Sequence, residues 1–250
     1  MEMGLDGIEM VHNADLPARS GLGSSSTFTV GFLHALYALQ HRMPTKRELA
    51  NNAIHVEQTL IGENVGSQDQ TAAAFGGLNR IDFGCPQNIV VRPIILSPQR
   101  LEHFQNHLML FFSGFSRFAS VIAEEQVRTM SEHIKQLDKM LQLVDDALNI
   151  LVDSERDLDE IGELLHKQWL LKKQLSSQIS TEAIDQLYES GLKAGALGGK
   201  LLGAGGGGFM LFYVKPEDQD TLKEKLKDFL YVPFRFDFSG SQIIYYSHHS

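Results

Sequence analysis

The stretch from Leu16 to Leu39, LPARSGLGSSSTFTVGFLHALYAL, places the strongest constraint on this chain. Gly21-Leu22-Gly23 and three serines stand directly before an apolar segment that reads as a helix from Ser24 to about His41. A helix begins with backbone N–H groups that have no partner inside the helix, and its dipole makes that end positive. Flexible residues and hydroxyls at such an entrance suit an anion, and a phosphate is the first expectation. Pro17 to Gly23 would form an elbow fed by a strand over residues 8–15, where apolar and polar residues alternate.

The rest of the chain reads as mixed α+β. Thr45-Lys46-Arg47-Glu48 has the form of a capping box, which predicts a second helix from there to about Ile61. A short third helix is expected over residues 67–75, and strands over 78–83 and 88–96 around a Cys85-Pro86 turn. After Ser97-Pro98 the texture changes to a strand at 107–113 and long helices at about 117–152 and 155–175, whose charged positions read as solvated faces. A helix near 181–195 leads into the glycine-rich run GALGGKLLGAGGGGF. A strand FMLFYV, a helix from Pro216 and strands at 232–238 and 241–247 complete the reading. The expected division is 1–100 and 101–250.

Composition removes several function classes. The formal net charge of −9 carries no basic footprint for a nucleic-acid backbone. A single cysteine, Cys85, allows no internal disulfide, and no apolar stretch is long enough for a bilayer. The amino terminus lacks the basic and apolar regions of a secretory signal, so the expectation is a cytoplasmic protein with neither nucleic acid nor membrane as partner. A protein-only zinc site is not expected either, the ten histidines being read as lacking paired ligand spacing.

The glycine patterns fail the common phosphate cradles. No lysine follows either cluster where a Walker loop needs one, and GAGGGG (203–208) precedes a strand where a dinucleotide fingerprint must precede a helix. GLGSSST does not supply the Gly-x-Ser-x-Gly elbow of a serine hydrolase.

Pro17 to Ser26, P-x-x-x-G-L-G-S-S-S, resembles the second motif of the GHMP small-molecule kinases, which include galactokinase, homoserine kinase, mevalonate kinase and phosphomevalonate kinase. KLLGAGGGGF (200–209) resembles their third motif. EQTLIGENVGSQDQTAAAFGGLNRIDF, FFSGFSRFAS and LLHKQWLLKKQLSSQIS are similar to the branch that phosphorylates D-glycero-D-manno-heptose 7-phosphate for GDP-heptose synthesis; galactose- or fucose-like specificity, or an inactive nucleotide-binding module, are the alternatives.

The resemblance implies a two-domain α+β fold, with an amino-terminal α/β domain of the ribosomal-protein-like kind, incomplete here, and a ferredoxin-like carboxy-terminal domain. It implies ATP and Mg²⁺ as cofactors and a sugar or sugar phosphate as substrate. Pro17, Gly21, Leu22, Gly23, Ser24, Ser25 and Ser26 would wrap the ATP phosphates, with Gly205 and Gly206 as a floor beneath them. Ser25 and Glu57 would ligate Mg²⁺, and Asp69 would accept the proton of the substrate hydroxyl. From the residues alone, Glu57 is a helix-surface acid and Asp69 a helix cap. Gly114 and Arg117 are candidates for holding a sugar phosphate. His166 and Trp169 read as packing residues. The family's first motif is absent from the sequence, which predicts an unpaired sheet edge and an exposed apolar face, covered by a homo-oligomer or a complementing chain.

Overall fold

The computed structural model describes residues 8–15, 21–84, 88–114 and 119–247; Pro17, Cys85 and Arg117 fall outside them. Three helices form the first layer: α1 (Ser24–Leu39), α2 (Lys46–His55) and α3 (Gln68–Phe75). The Thr45 side chain accepts a hydrogen bond from the Glu48 backbone N–H, so the expected cap is real. Val30, Tyr37, Leu49, Ala50, Ala53 and Ala74 make the core between the helices, the alanines letting the backbones come close. After His55 the second helix widens into a π-helical turn, Val56–Ile61, instead of continuing as α-helix. The hairpin β1 (Asn79–Gly84) and β2 (Asn88–Pro93) follows as an antiparallel pair.

The second half is built on a four-stranded antiparallel sheet. Its elements are α4 (Pro98–Asn106), β3 (Leu108–Phe112), α5 (Ala119–Thr129), α6 (Ile134–Val152), α7 (Glu160–Lys173), α8 (Glu182–Lys193), β4 (Ala196–Leu201), β5 (Phe209–Val214), α9 (Gln219–Lys225) and β6 (Leu230–Val232). Strand order β4-β5-β3-β6 with these crossovers is the ferredoxin-like arrangement. Along β5, Met210, Phe212 and Val214 enter one core with Trp169, Ile184 and Leu187, while Leu211 and Tyr213 enter another with Phe104, Ile150 and Ile161. Both faces of the sheet are therefore covered, which is why FMLFYV is apolar without alternation.

Two expectations need correction, the strand at 8–15 and the pair that closes the chain, and two elements were not foreseen, at 98–106 and 196–201. Residues 8–15 carry no strand and are exposed. Residues 98–106 form a helix, capped by the Ser97 side chain with Pro98 in its first turn. Residues 196–201 form a strand in spite of their glycines, because a methyl group on Gly198 would stand 1.9 Å from the Gly162 carbonyl of α7. Only Leu230–Val232 of the two closing strands exists, and residues 233–247 have no ladder. Phe234 and Phe236 still alternate inward, but the Gln105 side chain serves their backbone: its amide donates to the Phe234 carbonyl at 3.2 Å and accepts from the Phe236 N–H at 2.8 Å.

The segment then crosses to the first layer as a strap. The Gly77 N–H donates to the Asp237 carbonyl at 2.7 Å, the Ser241 N–H to the Ala73 carbonyl at 2.9 Å, and Lys46 Nζ to the carbonyls of Phe75 and Ser239 at 2.6 and 2.9 Å. His34 Nδ1 lies 2.9 Å from Ser241 Oγ. The expected apolar exposure is also present, at Ile8, Met10, Val11 and Phe32.

Candidate active site

Helix α1 opens without a side-chain cap among the described residues. Gly21 and Gly23 adopt φ of +81° and +69°, and Gly23 caps the helix with no side-chain hydrogen bond and no acid in the first turn. The first helical bond runs from the Thr27 N–H to the Gly23 carbonyl at 2.9 Å, so among the described residues the N–H groups of Ser24, Ser25 and Ser26 have no acceptor. Leu22 and Ser24 are half-buried in this turn, and Ser25 is exposed on it.

Two carboxylates flank the entrance. The Asp69 carboxyl packs against Gly23, where a methyl group would meet its Cγ at 2.8 Å. Asp69 is open to solvent on one side, yet the protein crowded around its carboxyl, and then the negative Glu57, raise its pKa above the ordinary aspartate value. Glu57, on the π-helical turn, is 1% exposed. Its Oε2 accepts from Ser26 Oγ at 2.8 Å and from the Gln70 amide, while its Oε1 is buried without a partner among the described residues. A buried carboxylate oxygen left without a donor, behind an anion-binding turn, suits a hard cation. The serine that hydrogen-bonds Glu57 is Ser26, the neighbour of Ser25 on α1.

The second glycine run lies beneath the first. A methyl group on Gly203 would stand 2.9 Å from Gly21 Cα, and one on Gly21 would stand 3.2 Å from the Leu202 carbonyl oxygen. Contact with the phosphate elbow is thus made by Leu202 and Gly203. Gly205 and Gly206 lean away on Ile179, whose carbonyl accepts from the Gly206 N–H at 2.9 Å. Gly114, with φ of +80°, is exposed at the end of β3, where Ser113 and Gly208 exchange hydrogen bonds at 2.8 and 3.1 Å.

Sequence reasoning missed the lysine that holds this loop. Lys172, at the end of α7, is buried and donates to the carbonyls of Leu201 and Gly203 at 3.1 and 2.5 Å. Burial, with Lys200 adding to it, pushes its amine down to about 7, and burial pushes Lys200 down to about 8. In KQWLLKK a buried lysine looks like its solvated neighbours, and only the apolar residues around it give a signal. Trp169 is fully buried and His166 pairs with the Tyr188 hydroxyl at 2.7 Å, so both are packing residues.

Comparison with known proteins shows the family. Residues 1–77 match the model of the GHMP kinases N terminal domain and residues 140–232 that of the GHMP kinases C terminal. The chain is 31% identical over 215 residues to a D-glycero-alpha-D-manno-heptose 7-phosphate kinase of Campylobacter jejuni, covering 86% of this chain and 63% of that protein. It is 31% identical over 220 residues to an L-fucokinase/L-fucose-1-P guanylyltransferase of Bacteroides fragilis, covering 84% of this chain and 22% of that protein. The crystal structure of a D-glycero-D-manno-heptose 1-phosphate kinase from Bacteriodes thetaiotaomicron superposes with a TM-score of 0.69 at 27% identity, over 90% of this chain and 64% of that one. The chain therefore spans less than two thirds of the length of these relatives. Among the described residues no helix is long and apolar enough to cross a membrane.

Proposed function

This chain belongs to the GHMP kinases, and on that premise we propose that it is the ATP-binding and catalytic part of a sugar kinase acting on D-glycero-D-manno-heptose 7-phosphate. The observation that carries the proposal is the Asp69 carboxyl packed against Gly23, at a helix entrance whose first three N–H groups have no acceptor among the described residues. A proton acceptor and an anion cradle within one turn of each other are what phosphoryl transfer to a hydroxyl requires.

In this reading the N–H groups of Ser24, Ser25 and Ser26 hold phosphate oxygens of ATP, and Gly21 and Gly203 keep the backbone close to them. Glu57 Oε1 and the Ser25 hydroxyl are the groups that would hold Mg²⁺, which when bound neutralises charge on the phosphates. Asp69 takes the proton from the anomeric hydroxyl as that oxygen bonds to the γ-phosphorus and the bond to the ADP oxygen breaks. The raised pKa of Asp69 makes it the stronger base for this step. Gly114 and Arg117 are assigned to the sugar phosphate. The division into 1–100 and 101–250, a cytoplasmic location, and a second copy or complementing chain over Ile8, Met10, Val11 and Phe32 belong to the same proposal.

A fucose-like substrate is the second reading, favoured by the 31% identity to the fucokinase relative. The test is ADP release with Mg-ATP and a panel of D-glycero-D-manno-heptose 7-phosphate, galactose, fucose and mevalonate. Release with the heptose phosphate alone is expected. Release with fucose instead selects the second reading, and silence with ATP still bound refutes catalysis by this chain.

A further inference from the structure

Away from the glycine loops, His103 and His107 stand four residues apart in HFQNH, the paired spacing that the histidines were expected to lack. His103 lies on α4 and His107 caps it, with the two rings stacked at 4.3 Å and 4° between planes. Asp159, which caps α7, comes to the same place, so that one ligand atom from each of the three lies within 4.8 Å of the others. Ligands bound to zinc at about 2 Å stand about 3.4 Å apart in a tetrahedron, and the exposed His103 ring is free to close the difference.

Two further observations bear on what this cluster is for. His107 is 6% exposed, and its Nδ1 lies 2.7 Å from the His103 carbonyl oxygen. A carbonyl can only accept, so Nδ1 carries a proton, and in the neutral ring the lone pair is then on Nε2, the tautomer in which metal-ligating histidines are held by a backbone carbonyl. Beside it, with ring centroids 5.1 Å apart, Tyr213 is fully buried and its hydroxyl has no partner among the described residues. A buried phenol lacks its hydrogen bond only at a cost, which a ligand water would remove.

We propose that His103, His107 and Asp159 form a site for one divalent ion of the zinc type, with a water in the fourth position within reach of the Tyr213 hydroxyl. Two imidazoles and one carboxylate favour zinc, cobalt or nickel over magnesium or calcium. Lys215 competes for the site, since its Nζ lies 2.6 Å from Asp159 Oδ2, but its side chain is 40% exposed and can turn into water. His107 and Ser113 flank opposite ends of β3, so the ion would sit a strand length from the glycine loop and join α4 to α7. Its role there is to tie the link between the two halves to the sheet.

The experiment is calorimetric titration of the full, metal-free chain with Zn²⁺, with Co²⁺ absorption to report coordination. One ion per chain and a four-coordinate Co²⁺ spectrum are expected. His103→Gln changes an exposed side chain and should keep the melting temperature of the metal-free protein while weakening Zn²⁺ at least tenfold. Asp159→Asn should weaken it similarly, and Lys215→Gln should tighten it. Absence of stoichiometric binding, affinity unchanged by His103→Gln, or binding lost instead in a His248→Ala/His249→Ala variant would overturn the proposal.

Discussion

Replacing Glu57 with glutamine exchanges one oxygen for an amide nitrogen in a side chain that is 1% exposed. An acceptor remains for Ser26 and Gln70, so the contacts that place the side chain survive. The negative charge and its unpartnered oxygen are lost. A buried unsatisfied group costs about 1–3 kcal/mol, more when charged, and the amide that replaces it is a neutral group of similar kind. The net gain to the native state is about 1–2 kcal/mol, and for a chain of 250 residues this raises Tm by roughly 2–8 °C. On the proposed reading, Mg-ATP at a hundred times its Kd adds about 2.7 kcal/mol to the native chain. The variant should lose most of the magnesium-dependent part of that increment. Thermal melts with and without ATP, with magnesium or a chelator, measure both effects at once. A Tm lowered by several degrees would mean that the carboxylate is a structural acceptor, and an undiminished Mg-ATP increment would refute its place at the metal.

Asp69→Asn should lower turnover by about 10²–10⁴ and leave ATP affinity within about threefold, as calorimetry can check. Because burial and Glu57 raise the Asp69 pKa, kcat/KM of the native chain should fall on acidification at a higher pH than an ordinary aspartate would give. Gly203→Ala places a methyl group 2.9 Å from Gly21 Cα at φ of +71°, and should lower both Tm and ATP affinity, the latter at least tenfold. Lys172 releases its proton near pH 7 when folded and near 10.5 when unfolded. The unfolded chain thus binds more protons across that window, so stability rises with pH through it, by up to about 1.4 kcal/mol per pH unit. Lys172→Met should flatten that rise in urea melts between pH 7 and 9, leaving the part due to Lys200.

Much of this could be read from the sequence where local chemistry and packing agree. The Thr45 cap, the helix behind the serines and the apolar β5 all follow from patterns shorter than twenty residues. The helix at 98–106 could have been read as well, since serine is a favoured helix cap and proline a favoured first helical residue. Strand β4 could not, because its glycines answer to the backbone of α7 and not to strand propensity. In the site, the glycines and serines announced the uncapped helix entrance. The partnership of Glu57 with Ser26 and Gln70 depends on a π-helical turn that composition does not encode in any simple way. The buried Lys172 and the approach of Asp159 to the histidine pair are likewise products of tertiary packing.

The strap gives the first layer an appointment it must wait for. His34 and Ser241 meet across 207 positions, and the carbonyl of Ala73 near the end of α3 finds its donor in Ser241 only when the strap is in place, whereas that of Phe75 has Lys46 of the same layer. On a ribosome adding 5–20 residues each second, roughly 10–40 s separate the two partners. During that interval α1, α2 and α3 exist without the segment that fastens them, so the first layer is completed only by residues made long after it.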